Sequence, residues 1–165
     1  LNDPKRLSCG EPPNFSEVHV PRDAEIDFFA NLLLISLRSD WSIEGKNISF
    51  LKGSLICVDY DEFLSRGVEG SRFSVLFEPS KGTALDTYSA TKNYIILSIM
   101  DNVQSQLVFL FYDPNIQNFV PAGGDSHSRI RAANVGAYDS YNSDKFWLTT
   151  SGFLQPSTLY MANAE

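Results

Sequence analysis

The chain has 165 residues, of which 43% are hydrophobic and 20% are charged, a balance that predicts one ordered globular domain and argues against intrinsic disorder. The formal net charge of −7 argues against nucleic-acid binding, which needs clustered lysine and arginine to contact phosphates. No apolar run reaches the ~18 residues of a membrane-spanning helix, so we expect a soluble chain without a membrane partner.

The first residues differ in composition from the rest of the chain. Residues 1–16 are polar and proline-rich, and we expect an irregular leading segment there, whereas residues 17–165 carry the apolar runs of a domain. A short strand is predicted over Glu17–Val20. Cys9 lies in the leading segment and Cys57 lies in an apolar run. Two cysteines do not form a disulfide framework in a chain of this size, so we expect both thiols to be free.

A pair of apolar runs occurs three times along the domain. The runs are Leu32–Leu37 and Leu55–Tyr60, Tyr94–Met100 and Gln106–Tyr112, and Phe146–Ser151 and Thr158–Ala162. Their isoleucine, leucine, valine and aromatic residues, bounded by Gly, Pro, Asn and Asp, predict β-strands. A repeat of roughly 40–50 residues, lengthened by loops, is typical of the blades of a β-propeller.

Further strands on either side extend each pair into a larger unit. They are predicted at Ala24–Phe29 and Phe73–Phe77, at Thr87–Ala90 and Phe119–Pro121, and at Val135–Tyr141. The sequence thus predicts an all-β fold, a partial β-propeller of about three four-stranded antiparallel blades over approximately residues 24–78, 86–121 and 134–162. The last blade lacks its fourth strand. Little helix is expected beyond a single turn at Asp61–Arg66, which has an acidic start and is followed by Gly67.

The second strand of each unit is apolar throughout instead of alternating between apolar and polar residues. Continuous apolar strands are typical of a sheet covered on both faces, as a blade is between its neighbours. The first and the last blade would each lack one neighbour. We therefore expect self-association through these open faces and through the unpaired edge at Thr158–Ala162. A β-sandwich, which also has short strands joined by regular turns, is the alternative fold.

Several short motifs of the domain occur in a specific order. They are Arg38–Trp41, Gly53–Leu55, Asp59–Leu64, Val75–Pro79, Ser89–Asn93, Met100–Val103 and Ser151–Tyr160. No single motif is diagnostic, but the ordered series resembles the later propeller blades of the prolyl oligopeptidase family of serine peptidases. The resemblance covers most of residues 28–160 and is weaker over residues 121–133.

The resemblance implies a fold, a role and partners. In that family a seven-bladed propeller caps the active site and admits short peptides, while the catalytic serine, aspartate and histidine belong to an α/β-hydrolase domain that these 165 residues do not resemble. The chain would then be the substrate-gating, size-filtering propeller portion of a serine endopeptidase. Its partners would be the hydrolase domain of the parent chain and short peptides, and no cofactor is implied.

An acidic, stand-alone, propeller-like interaction module is the alternative function. The two interpretations differ in what the gene encodes downstream of Glu165, since a hydrolase domain there would favour the peptidase. Neither interpretation determines the compartment, although a cytoplasmic location is favoured over others.

The sequence carries no motif for catalysis of its own. A hydrolase nucleophile requires a Gly-x-Ser-x-Gly turn, and this motif does not occur. Gly124–Ser128 place aspartate, serine and histidine side by side, but the members of a catalytic triad converge from separate elements. We therefore expect a solvated turn at this segment and predict no catalytic residue in the chain.

Metal ligands are not gathered in the sequence either. Neither His19 nor His127 has a second histidine or cysteine at metal-ligand spacing. Asp59, Asp61 and Glu62 form an acidic cluster, but the glycine of a calcium-binding loop is missing. We predict no metal site, and we expect the cluster to end a strand and cap the turn that follows.

Aromatic side chains are the remaining candidates for a binding site. Trp41, Trp147 and most of the seven tyrosines lie in or beside apolar runs, which favours packing between blades over ligand binding. Tyr88 and Tyr138 lie instead on the predicted first strands of two blades, and such strands line the central channel of a propeller. We therefore predict that these two tyrosines contact peptides in the channel.

Overall fold

A computed structural model describes residues 18–102, 104–122, 128–129, 133–152 and 155–165. In these residues the chain forms one helix and fourteen strands. In chain order they are β1 (Glu25–Phe29), β2 (Leu32–Ser36), β3 (Trp41–Ile43), β4 (Ile48–Phe50), β5 (Leu55–Asp59), α1 (Tyr60–Gly70), β6 (Phe73–Phe77), β7 (Thr83–Ala90), β8 (Tyr94–Asp101), β9 (Gln104–Asp113), β10 (Asn118–Pro121), β11 (Ser128–Arg129), β12 (Ala133–Ala137), β13 (Lys145–Gly152) and β14 (Gln155–Asn163).

Most of these strands form three antiparallel sheets that follow one another along the chain. Sheet 1 has the strand order β1-β2-β5-β6, sheet 2 has the order β7-β8-β9-β10, and sheet 3 has the order β12-β13-β14. The short strand β11 also pairs with β9, at Leu107 and Gln106. In each sheet the first strand in sequence lies at one edge. Strands β3 and β4 form a separate hairpin.

The strand predictions made from the sequence are largely confirmed, and with them the all-β class. Each of the six apolar runs contains a strand, because leucine, β-branched and aromatic side chains fill a pleated, buried surface. The flanking strands of all three units are present as well. Sheet 1 has four strands in the expected order, and sheet 2 has its four expected strands in order together with the added β11. Sheet 3 has three strands within the described part of the chain.

One predicted strand and the end of another differ from the structure. Residues 18–20 form no strand, because the chain turns before Pro21: the N–H of Val20 donates to the carbonyl of Val18 at 3.0 Å. Proline fixes its own backbone angle and favours such turns. Strand β12 ends at Ala137, before the predicted end at Tyr141. Beyond this point the Asp139 carboxylate accepts a hydrogen bond from the N–H of Tyr141 at 2.9 Å. This side-chain bond closes a local turn, which takes the place of further strand pairing.

The helix is longer than the predicted single turn at Asp61–Arg66. The N-cap residue is Asp59, whose side chain accepts a hydrogen bond from the N–H of Glu62 at 2.8 Å. At Gly67 the backbone has φ 67° and ψ −175°, which breaks the helical path. A second turn then follows and closes where the N–H of Ser71 donates to the Gly67 carbonyl at 3.2 Å. Gly67 therefore kinks the helix instead of ending it.

The hairpin of β3 and β4 was not predicted, and it covers the outer face of sheet 1. Its residues Ile43 and Phe50 pack with Phe63 of α1 in one buried cluster. The cluster also contains Leu33, Ile35, Ile56 and Val58 from β2 and β5. The expectation of an open outer face on the first unit is therefore wrong, because the chain supplies its own cover.

Two further clusters hold the sheets face to face. Leu34 of sheet 1 and Ile95 and Leu97 of sheet 2 are buried in the first cluster. Ile96 packs with Phe146 of sheet 3 in the second. Successive residues of β8 thus face opposite sheets, which confirms the prediction of a strand buried on both faces. Full burial of each such side chain stabilises the fold by about 1.5–3 kcal/mol.

Candidate functional site

The first strands of the three sheets end beside one another and form a cleft of about 790 Å³. The N–H of Ala137, the last residue of β12, donates to the Oγ of Ser89 in β7 at 2.8 Å, which joins sheets 2 and 3 at this place. The walls combine charged, aromatic and small side chains: Asp27, Phe28, Phe29 and Ala30 from sheet 1, Tyr88, Ser89, Ala90, Thr91 and Lys92 from sheet 2, and Ala137, Ser140 and Tyr141 from sheet 3. The cleft is thus built from all three sheets.

Tyr88 lies in the cleft wall and packs against the cluster between sheets 1 and 2. Burial raises the pKa of its hydroxyl to about 12, and the carboxylates of Asp27 and Glu25 act in the same direction. Both causes disfavour the phenolate. Near neutral pH, Tyr88 is therefore a neutral hydrogen-bonding group beside acidic side chains.

Tyr138 occupies a different position from Tyr88. It follows β12 instead of lying on it, its side chain is 57% exposed, and its ring meets that of Trp147 edge-on at a centroid distance of 6.2 Å. It is not among the residues that line the cleft. The structure therefore brings only one of the two predicted tyrosines to this cleft, and contact of either with a peptide stays a prediction.

Two exposed aromatic residues of the cleft were missed by the sequence analysis. Phe28 is 53% exposed, and its ring meets the ring of Tyr60 edge-on at a centroid distance of 5.4 Å. Tyr141 is 86% exposed. Both are next to turns at the end of a first strand. Phe28 precedes Phe29, which is buried. The alternation of polar and apolar residues along β1 groups Phe28 with Ile26 and does not indicate that Phe28 is exposed.

Asp144 fixes the turn between β7 and β8 against sheet 3. Its buried carboxylate accepts hydrogen bonds from the Oγ1 of Thr91 at 2.8 Å and from the backbone N–H and Nδ2 of Asn93 at 2.8 and 2.6 Å. Lys92, which lines the cleft, lies between these two partners. Bonds to an ionised acceptor are stronger than bonds between neutral groups, so this tie holds the cleft wall in place.

The acidic cluster at the start of α1 is engaged in local hydrogen bonds. Besides the N-cap bond of Asp59, the Nδ2 of Asn31 donates to Asp59 and to Asp61, each at 3.1 Å. Glu62 pairs with Arg66 at 2.9 Å. The predicted capping role is confirmed. In the described part of the chain no three potential metal ligands come together.

The remaining candidates of the sequence analysis lie at scattered places. His19 is exposed, while residues 124–127, with His127, and Cys9 lie outside the described residues. Cys57 is a free thiol, and burial raises its pKa to about 12, so it is an inert core residue. Within the described residues, no helix is both long and apolar enough to cross a membrane.

Comparisons with known proteins link the chain to peptidases. No protein-family model matches it. It is 30% identical, over 129 residues or 78% of its length, to an uncharacterized peptidase of Sinorhizobium fredii, of which it covers 17%. It is 28% identical, over 93 residues or 56% of its length, to an uncharacterized peptidase of Rickettsia prowazekii, of which it covers 13%.

One solved structure has a similar fold. It is a post-proline cleaving enzyme from Rickettsia typhi, which matches 87% of this chain with a TM-score of 0.69 and 22% sequence identity. The chain covers 20% of that enzyme. In all three comparisons the chain therefore spans a fifth or less of the longer protein.

Proposed function

Because the chain is similar, over most of its length, to a segment of peptidases of the prolyl oligopeptidase type, we propose that it forms part of the β-propeller of such a serine peptidase. Sheets 1, 2 and 3 would be three successive blades. The catalytic α/β-hydrolase domain of the parent chain would be its partner, and short peptides would be the molecules that it meets.

The repeated arrangement of the sheets supports the assignment as blades. Each sheet is an antiparallel meander that begins at the same edge, and neighbouring sheets pack face to face through the clusters around Leu34 and Ile96. Their first strands converge on one cleft. In a propeller, four-stranded blades stand around a central channel, and the first strand of each blade lines it.

We further propose that the chain shields the active site of the parent enzyme and selects peptides by size, with no catalysis of its own. The observation that carries this role is the convergence of β1, β7 and β12 on the cleft, combined with the similarity to peptidases. The cleft wall offers Tyr88 with a raised pKa and no activated nucleophile among its described residues. Its groups can contact a passing peptide but not cleave it.

A chimeric enzyme tests the role of the chain. The segment of the Rickettsia typhi enzyme that matches this chain is replaced by the chain, and cleavage of a short proline-containing peptide is compared with cleavage of a long unstructured polypeptide that contains the same site. We expect the chimera to cleave the short peptide and to discriminate against the long one. The isolated chain should cleave neither.

Matched variants make this test specific. Asp144→Ala, which breaks the tie between sheets 2 and 3, should reduce the discrimination, whereas Lys145→Ala, at an exposed neighbouring position, should preserve it. A folded chimera that cleaves both substrates equally well would contradict the size filter. Failure of the segment to fold within the enzyme would contradict its proposed place in the parent.

A further inference from the structure

The cleft carries two charged side chains that come from different sheets. Asp27 belongs to sheet 1 and Lys92 belongs to sheet 2, and the other described residues of the cleft wall are uncharged. The Lys92 side chain is exposed, and no carboxylate in the described part of the chain forms an ion pair with it. The ammonium group of Lys92 is therefore available to a ligand in the cleft.

The backbone at Lys92 is held in place by sheet 3. Its neighbours Thr91 and Asn93 both donate to the Asp144 carboxylate. The N–H of Lys92 donates to the carbonyl of Ser143 at 3.2 Å. Because these bonds fix the backbone, a ligand has to order only the side chain of Lys92 when it binds, and the entropic cost of binding is correspondingly small.

The turn between β12 and β13, which Lys92 contacts, adds two hydroxyl groups to the cleft. Asp139 closes this turn: its carboxylate accepts the N–H of Tyr141 at 2.9 Å, and its carbonyl accepts the N–H of Ser143 at 3.1 Å. Ser140 and Tyr141 are exposed and line the cleft. Within the described residues, neither side-chain hydroxyl has a hydrogen-bond partner. We call Lys92, Ser140 and Tyr141 the donor corner of the cleft.

The donor corner suits a ligand group that accepts hydrogen bonds and carries negative charge. A lysine ammonium only donates, and serine and tyrosine hydroxyls can donate as well. The nearby carboxylates of Asp139 and Asp144 do not line the cleft, and both oxygens of each already accept hydrogen bonds from the two turns. Asp27, the carboxylate that does line the cleft, lies on the wall formed by sheet 1. A carboxylate ligand is therefore attracted to the donor corner and repelled from the wall of sheet 1.

We propose that the donor corner binds a carboxylate group of the peptide and that Lys92 is a specificity-determining residue of the cleft. The carboxylate belongs to the C-terminus of a short peptide or to an aspartate or glutamate side chain. Lys92 supplies the positive charge, and the hydroxyls of Ser140 and Tyr141 donate further hydrogen bonds. This preference rests on the proposed function, because peptides have to enter the cleft for it to act, and it adds selection by charge to the proposed selection by size.

Titration of the isotope-labelled 165-residue chain with short peptides, followed by NMR chemical shifts, measures this preference. Four peptides share one proline-containing sequence with a single glutamate. They differ only in whether the C-terminus is amidated and whether glutamine replaces the glutamate. The peptide with both carboxylates should bind about two- to fivefold more tightly than the peptide with neither, as expected for an exposed ion pair.

The two peptides with one carboxylate each show which of the two groups is bound. The group that Lys92 contacts should account for most of the difference in affinity, and the largest shifts should occur at Lys92 and Tyr141. Equal dissociation constants for all four peptides, or no binding of any of them, would overturn the proposal.

Variants of the chain distinguish a contact with Lys92 from general electrostatic attraction. In Lys92→Gln the four peptides should bind equally, whereas Tyr141→Phe, which removes one hydroxyl, should keep part of the preference. Lys81→Gln removes the same charge at an exposed position outside the cleft and is the matched control, which should keep the full preference. The spectrum of each variant shows in the same experiment that the fold is intact. A preference that survives in Lys92→Gln, or that Lys81→Gln removes, would overturn the proposal.

Binding and cleavage give separate answers about charge and size. Peptides that bind in the cleft without any preference for carboxylates would overturn the role of Lys92 and leave the proposed size filter standing. A chimera that cleaves long and short substrates equally well would contradict the size filter, whichever peptides the chain prefers.

Discussion

Asp144→Ala should weaken the fold more than any exposed substitution, because Asp144 joins sheets 2 and 3. The side chain belongs to a residue that is 5% exposed, and it accepts three hydrogen bonds from Thr91 and Asn93. Removal of the carboxylate takes this acceptor away from Thr91, which is only 1% exposed, and from the partly buried Asn93. The Thr91 hydroxyl keeps the carbonyl of Tyr94, at 3.3 Å, as a second acceptor.

The magnitude follows from the number and kind of these bonds. A hydrogen bond to a charged group contributes about 1.5–3 kcal/mol, and a buried donor without a partner costs about 1–3 kcal/mol. The contributions are not additive, because the three bonds share one acceptor group. We expect a loss of roughly 3–5 kcal/mol in the free energy of unfolding, a large part of the ~5–15 kcal/mol typical of a domain.

Urea unfolding, monitored by circular dichroism and by tryptophan fluorescence, measures this loss. Asp144→Asn keeps one carbonyl oxygen as an acceptor and should lose less than Asp144→Ala. Asp139→Ala is the matched control, because its carboxylate also accepts backbone hydrogen bonds but belongs to a residue that is only partly buried. A loss of under about 1 kcal/mol for Asp144→Ala, the value typical of exposed polar contacts, would refute the argument that this carboxylate ties the two sheets together.

Three further predictions concern sheet 1 and the helix. Gly67→Ala should lower the free energy of unfolding by about 1–3 kcal/mol in urea unfolding, because φ 67° and ψ −175° suit only glycine; an unchanged stability would contradict the kink. Asp59→Ala should lower the free energy of unfolding by about 1 kcal/mol in the same assay, because the N-cap bond is lost. Asp59→Asn keeps an acceptor oxygen and should lower it much less, so equal losses for the two variants would contradict the capping role. In a Cys9→Ser background, Cys57 should not react with a thiol reagent at pH 9 until the chain unfolds, since its pKa is raised from 9.0 to about 12. Fast labelling of Cys57 in the folded chain would contradict its burial. The raised pKa also means that the free energy of unfolding falls as pH rises from about 9 toward 12, because the thiol ionises first in the unfolded chain. Cys57→Ala should make this fall smaller.

Local patterns in the sequence were sufficient to predict most strands. Ile95, Ile96 and Leu97 are consecutive apolar residues, and such a run can only be buried if both faces of the strand are covered. The structure shows this arrangement. The boundaries of the helix were less predictable, because Gly67 is a stop signal that the second turn, closed by Ser71, continues past.

Contacts between residues far apart in the sequence could not be predicted. The hairpin of β3 and β4 consists of three-residue strands, which are too short to show the alternation of apolar and polar residues typical of a strand. Its packing over sheet 1 depends on the apolar side chains of β2 and β5. Asp144 meets Thr91 and Asn93 only after sheets 2 and 3 have stacked. The cleft aromatics Phe28 and Tyr141 come from different sheets, so their common site follows from the packing alone.

A crystal structure of the chimera with the Rickettsia typhi enzyme tests the central claim most directly. The account predicts that sheets 1, 2 and 3 occupy three neighbouring positions around a channel, with β1, β7 and β12 as the innermost strands. It also predicts that the channel leads toward the catalytic domain. Sheets stacked as a two-layer sandwich, or first strands that face away from any channel, would contradict the account.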